Sequence, residues 1–287
     1  MVLPDPGLYG PNSEAWRLDR EAMLLLAAGP RSLLLQVAHP LVAEGVQQHS
    51  AFRTDPWGRL QGTLRSYLTI VYGTTAAARA EIRRLNELHR TIDGPVLDVD
   101  ARNAHGDRYS ARDPELSLWV HATLVDSTIE TYDAWLEPYD PAARRRFYEE
   151  TRPVGRAFGI PDALLPRDYD AFQRYMATML EDGGPIHVTS TARDIGREIV
   201  NPPLGPVAPM LGWVPAPLYN WTLWPAIGLL PPRLRREFGF QWGAKERIAS
   251  AWLVAAWRAW RPVVPTSLRW MPQALAADSR MIAAKGQ

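Results

Sequence analysis

Apolar residues recur at three- and four-residue steps along most of this chain, and no run alternates singly as a half-buried strand would. The pattern predicts helices over 14–28, closed by Gly29-Pro30, and over 31–48, kinked at Pro40 by the missing backbone donor. A helix over 56–72 is opened by Asp55-Pro56 and ended by Gly73, and one over 76–92 is capped by Thr74 or Thr75 and stopped by Asp93-Gly94-Pro95. Asp113-Pro114-Glu115 starts a helix that runs to Leu136 and is apolar on most sides, as a central helix is. Further helices are expected over 141–158, 169–181, 191–200, 218–229, 231–238 and 244–259. Residues 96–112 are polar without a period and read as a surface loop with His105 solvated, and His187 falls in another loop. The fold class is all-α.

Several polar residues sit where this pattern expects core. Ile82, Leu85, His89 and Ile92 share one helix face, which turns the His89 imidazole inward. On the preceding helix Arg59, Thr63, Ser66, Tyr67 and Ile70 share a face, with an arginine and a threonine one turn apart. His39 and Glu44 flank the Pro40 kink, and His121 and Asp126 lie within the apolar pattern of the central helix. Periodicity leaves two readings open for His39, His89 and His121: hydrogen-bonded core histidines, or helix-borne imidazoles that hold a metal or a haem iron.

Composition narrows the chemistry. The 287 residues suit one large domain, 1–232, with a C-terminal helical extension, 233–287, packing on it. The absence of cysteine removes disulfides, thiolate metal sites and cysteine nucleophiles together. A net charge of +1 without a basic block argues against nucleic acid as a partner. Of the 26 prolines, those in the stretch PPLGPVAPMLGWVPAP rule out regular helix there, and prolines interrupt the apolar run 204–230, so no transmembrane helix is expected. The N-terminus lacks a basic segment followed by an apolar one, which makes a cytoplasmic location the expectation. No GxSxG elbow, Glu-x-x-His pair, GxGxxG or phosphate-binding Gly-Lys-Ser/Thr loop occurs, so hydrolase, di-iron carboxylate and nucleotide chemistries lack support.

Three blocks in order, QVAHPLVAEGVQQHSAFRTDPWGRLQGT, RLNELHRTIDG and YSARDPELSLWVHATLVDS, resemble the DUF2236 family, which covers the MpaB-type oxygenases and the catalytic domain of latex-clearing rubber oxygenases. The similarity runs from about Glu14 to about Pro232. It implies a single globin-like multi-helix domain with a Pro/Trp-rich C-terminal extension, holding haem b and acting with dioxygen. By the resemblance, His89 is the proximal iron ligand, Arg59 and Thr63 are polar residues around the haem, and Glu44 and His121 match an acidic residue and a later histidine near it. His39 joins Arg59 and Thr63 as a candidate to hydrogen-bond oxygen or a propionate, with Glu44 a general base or a partner to His39. The chain departs from rubber oxygenases at Gly62, where they carry a distal lysine, so oxidation at a carbon–carbon double bond of an apolar small molecule is the better expectation than polyisoprene cleavage. The chain would act as a monomer or homodimer. The competing reading is a non-enzymatic helical binder of a lipid or terpenoid, with Trp213, Trp221, Trp224, Trp252 and Trp257 touching a membrane surface peripherally.

Overall fold

The computed structural model describes residues 4–49, 56–201 and 223–283, which form an essentially all-α fold. In order they are α1 (Glu14–Asp19), α2 (Ala22–Val37), α3 (Pro40–His49), α4 (Pro56–Tyr72), α5 (Thr75–His89), β1 (Asp93–Pro95), α6 (Val99–His105), β2 (Arg108–Ser110), α7 (Pro114–Trp135), α8 (Pro141–Ala157), α9 (Tyr169–Leu180) and α10 (Ser190–Val200). After the gap in description come α11 (Trp224–Gly228), α12 (Pro232–Phe238), α13 (Ala244–Trp260), α14 (Thr266–Arg269) and α15 (Pro272–Ala283). Asp55, the proline-rich stretch and the first part of the helix expected over 218–229 lie outside the described residues, as do Trp213 and Trp221.

α7 is the axis of the core, capped by Asp113 with Pro114 in its first turn, and α2 lies along it. Trp119, Ile129 and Trp135 of α7 are enclosed with Leu34 and Leu35 of α2 in one apolar cluster. The Trp119 indole donates to the Leu35 carbonyl at 3.1 Å, so its polar tip is satisfied inside the core. Arg31 locks the same pair of helices: its guanidinium donates to Asp126 at 2.7 Å, to the Ser127 hydroxyl at 2.8 Å and to the Leu229 carbonyl at 3.0 Å. A second cluster joins Trp16 of α1, Leu68, Val71 and Tyr72 of α4, and Ala274 and Ala277 of α15. The C-terminal helix therefore completes a core begun near the N-terminus.

The expected helix over 14–28 instead breaks at Arg20-Glu21, and α2 runs straight through Gly29-Pro30. Pro30 withdraws the donor that the Leu26 carbonyl would take, and Leu26 lies 59 % exposed, where solvent is available to that carbonyl. The break at 20–21 has a tertiary cause. Met271 donates its N–H to the Arg20 carbonyl at 2.8 Å, Glu21 bridges Trp270, and Arg261 and Arg269 pair with the buried Glu21 carboxylate at 3.0 and 3.3 Å. The kink at Pro40 is a full break, with α2 and α3 bent by 103°. Among the described residues no single helix is long and apolar enough to cross a membrane.

The loop expected over 96–112 is ordered. β1 and β2 pair antiparallel, with Gly94 opposite Tyr109, and enclose α6, whose N-terminus is capped by the Asp98 carboxylate. Val96, Ala101, Tyr109 and Leu116 bury a small apolar cluster with Leu41 of α3. Its apolar residues are too widely spaced to show a period, which is why the sequence pattern reads as a loop.

Candidate functional site

Gly73 and Thr74 turn α4 back into α5, the Thr74 hydroxyl capping the second helix by accepting from the Ala77 N–H. Side chains cross-link the hairpin, with Ser66 donating to Glu81 at 2.6 Å and Arg84 gripping the same carboxylate. Measured from the turn at 1.5 Å per residue, Arg59 and His89 lie roughly 21 and 24 Å away along their helices. The hairpin thus brings them to the same end. His89 is the last residue of α5, half-buried, and no hydrogen bond ties its ring to a described residue. Burial holds its pKa below the usual imidazole value, so it is neutral at physiological pH, although a helix C-terminus alone would favour the cation. Arg59 is half-buried and its pKa is likewise lowered by burial, whereas Thr63 is exposed.

His121 approaches from α7. Its ring packs against Gly155, where a Cβ would stand 3.4 Å from Nε2, so the glycine is what lets the imidazole lie against α8. One turn before His89, Asn86 donates to the Ala157 carbonyl at 2.9 Å. The helices bearing His89 and His121 thus both meet the last turn of α8. Burial pushes His121 down to about 4, and its Nε2 is enclosed without a hydrogen-bond partner among the described residues. Leaving such an atom unpaired costs ~1–3 kcal/mol, which makes it an atom in need of a partner. Two neutral imidazoles on helices that meet one turn, one with an orphaned nitrogen, are donors of the kind a haem iron takes.

Glu44 and His39 are held by separate sets of hydrogen bonds, none of which involves His89 or His121 among the described residues. Glu44 is 2 % exposed, and its carboxylate is fully engaged, accepting from the Asp98 N–H at 2.9 Å and from Gln48 at 2.7 Å. It ties α3 to the start of α6. His39 is buried with Nδ1 accepting the Leu41 N–H at 3.3 Å. Its ring lies 5.2 Å from that of His105, which is stacked 6.1 Å from His187. Burial and these two neighbours push His39 down to about 3. His105, expected in solvent, is half-buried here because α6 carries it inward, and no local sequence signal links three histidines so far apart. Among the described residues no group of three His or acidic side chains is arranged to hold a metal ion.

A groove of about 360 Å³ on the flank of α4 is lined by Gly58, Gln61, Gly62, Leu64, Arg65 and Gln273. It lies roughly 110° around the helix from the face that carries Arg59, Ser66 and Ile70. A Cβ at Gly62 would meet open space.

The family of the ER-bound oxygenase mpaB/B' and rubber oxygenase catalytic domains matches residues 16–264. The match extends past the sequence similarity noted above and covers α13. Uncharacterized proteins of Mycobacterium bovis and Mycobacterium tuberculosis are each 25% identical over 251 residues, covering 85% of this chain and 90% of theirs. No solved structure matches the chain.

Proposed function

The chain belongs to the mpaB/rubber oxygenase catalytic-domain family, and from that premise we propose that it is a haem b-dependent oxygenase, acting with dioxygen on an apolar small molecule at a carbon–carbon double bond. The observation that carries the haem assignment is the convergence of α5 and α7, with His89 and His121, on the last turn of α8. Burial keeps both imidazoles neutral and therefore able to donate a lone pair.

His89 is the proposed iron ligand, because its ring is free of hydrogen bonds to described residues and stands at the end of a helix fixed by the α4–α5 cross-links. Haem, when bound, supplies the oxidising chemistry, and the protein supplies ligation, orientation and polarity. Arg59, a guanidinium drawn into a half-buried position at the same end of the hairpin, is suited to a propionate or to polar oxygen. His121, enclosed beside Gly155, is a second ligand or steers the first. Gly62 offers no ligand, so the distal side differs from a lysine-ligated one.

Haem content per chain, measured by pyridine haemochromogen on wild type, His89→Ala and His121→Ala, tests the assignment. One haem per wild-type chain and little in a folded His89→Ala variant is the expected result. A His89→Ala variant that keeps its full haem complement with an unchanged spectrum overturns the ligand assignment.

A further inference from the structure

α13 is a surface helix with two apolar faces. Its inner face is used, since Val254 and Trp257 pack against the main core. The outer face of such a helix is ordinarily polar. Here, at roughly 100° per residue, Ile248, Ala251, Trp252, Ala255 and Ala259 fall within an arc of about 100°, and all five are exposed. Trp252 is 72% exposed. Beyond this arc Trp260, Val263 and Leu268 are exposed as well, with Trp260 about 80° from Trp252 around the axis. Single exposed apolar residues are ordinary, but five on one helix face, Trp252 among them, mark an interaction surface.

Charge identifies the partner. From Ala244 to Met271 the chain carries Lys245, Arg247, Arg258, Arg261 and Arg269 against the single acid Glu246. Glu246 is occupied at the helix start, accepting from the Gly243 N–H at 2.7 Å. Glu21 answers Arg261 and Arg269, and Arg258 donates inward to the Asp133 and Ala134 carbonyls, which leaves Lys245 and Arg247 as the outward cations of the helix. Lys245 and Arg247 are exposed beside Ile248. A second copy of this chain brought face to face would set like charges together without acids to answer them.

We infer that this strip is a docking surface for an anionic phospholipid bilayer, with α13 lying in the interface, Trp252 at headgroup level and Lys245 and Arg247 against lipid phosphate. Tryptophan favours that depth because its ring is apolar and its N–H polar. Burial of an apolar face together with electrostatic attraction is how an in-plane helix binds a membrane. The inference stands on this face alone and does not depend on haem.

Flotation of the full chain with vesicles of phosphatidylcholine alone and of phosphatidylcholine with phosphatidylglycerol tests it, alongside Ile248→Ser/Trp252→Ser and Lys245→Glu/Arg247→Glu. Wild type should float with the anionic vesicles only, and each double variant should lose at least about tenfold in partitioning. Sedimentation velocity and thermal melts of the same proteins without lipid complete the test. Equal partitioning of wild type and variants overturns the proposal. So does a shift from dimer to monomer, or a large fall in melting temperature, in Ile248→Ser/Trp252→Ser without loss of vesicle binding, since the face is then covered by a second copy or by the chain itself.

Discussion

Asp19 closes α1 in a fully buried position, where its carboxylate accepts a hydrogen bond from Tyr67 of α4 at 2.9 Å. Burial raises its pKa from 3.8 to about 7, and the Tyr67 bond only partly opposes that rise. Between these two values the unfolded chain has released the proton and the native chain has not. Stability therefore falls as pH rises through that window and levels off above about 7. The window spans about three pH units at 1.36 kcal/mol each, so this one group removes about 4 kcal/mol of stability between acid and neutral pH. Asp19→Asn keeps an oxygen to accept from Tyr67 and has no charge to desolvate. Urea unfolding followed by tryptophan fluorescence at pH 5 and pH 8 reads the difference between variant and wild type, in which all other titrating groups cancel. That difference should grow in favour of Asp19→Asn by about 3 kcal/mol from the lower to the higher pH. A difference that stays constant, or that shrinks, refutes the reasoning.

Arg31→Met should destabilise by about 3–5 kcal/mol, because it strands the Asp126 carboxylate against α7 and frees the Leu229 carbonyl. Arg31→Met with Asp126→Leu should recover most of that loss in the same denaturation assay, and a double variant as weak as the single one contradicts the role given to the ion pair. Gly62→Ala, inside α4 with open space where its Cβ would stand, should raise stability by about 1 kcal/mol. A loss of stability on that substitution, measured by thermal melting, means that the groove beside it is narrower than described.

Much of the helical scaffold was legible because it is locally encoded. α4 ends at its Gly73 signal and α7 begins at the Asp113-Pro114 signal, whereas α5 stops at His89, short of the expected stop at Asp93-Gly94-Pro95, which is strand β1. The division between α1 and α2 was not, because it is imposed by residues 261–271 docking on Arg20 and Glu21, some 240 positions away in sequence. Nor was α15, whose small residues Ala274 and Ala277 carry a weak apolar signal until they meet Trp16 and Tyr72. Of the candidate site, the inward turn of His89 follows from its spacing to Ile82 and Leu85. The approach of α7 to the last turn of α8 does not, because it depends on Gly155 making room for the His121 ring, and a glycine within a helix announces no partner. The grouping of His39 with His105 and His187 required the hairpin and α6, both too short to stand out in the pattern.

The claim that His89 holds a haem iron is tested most directly by ultraviolet–visible spectra of the purified protein, before and after dithionite and after addition of haemin, for wild type and His89→Ala. A Soret band in wild type that shifts on reduction and is lost in a folded His89→Ala variant is the predicted result. A wild-type protein that shows no band even after haemin addition contradicts the account.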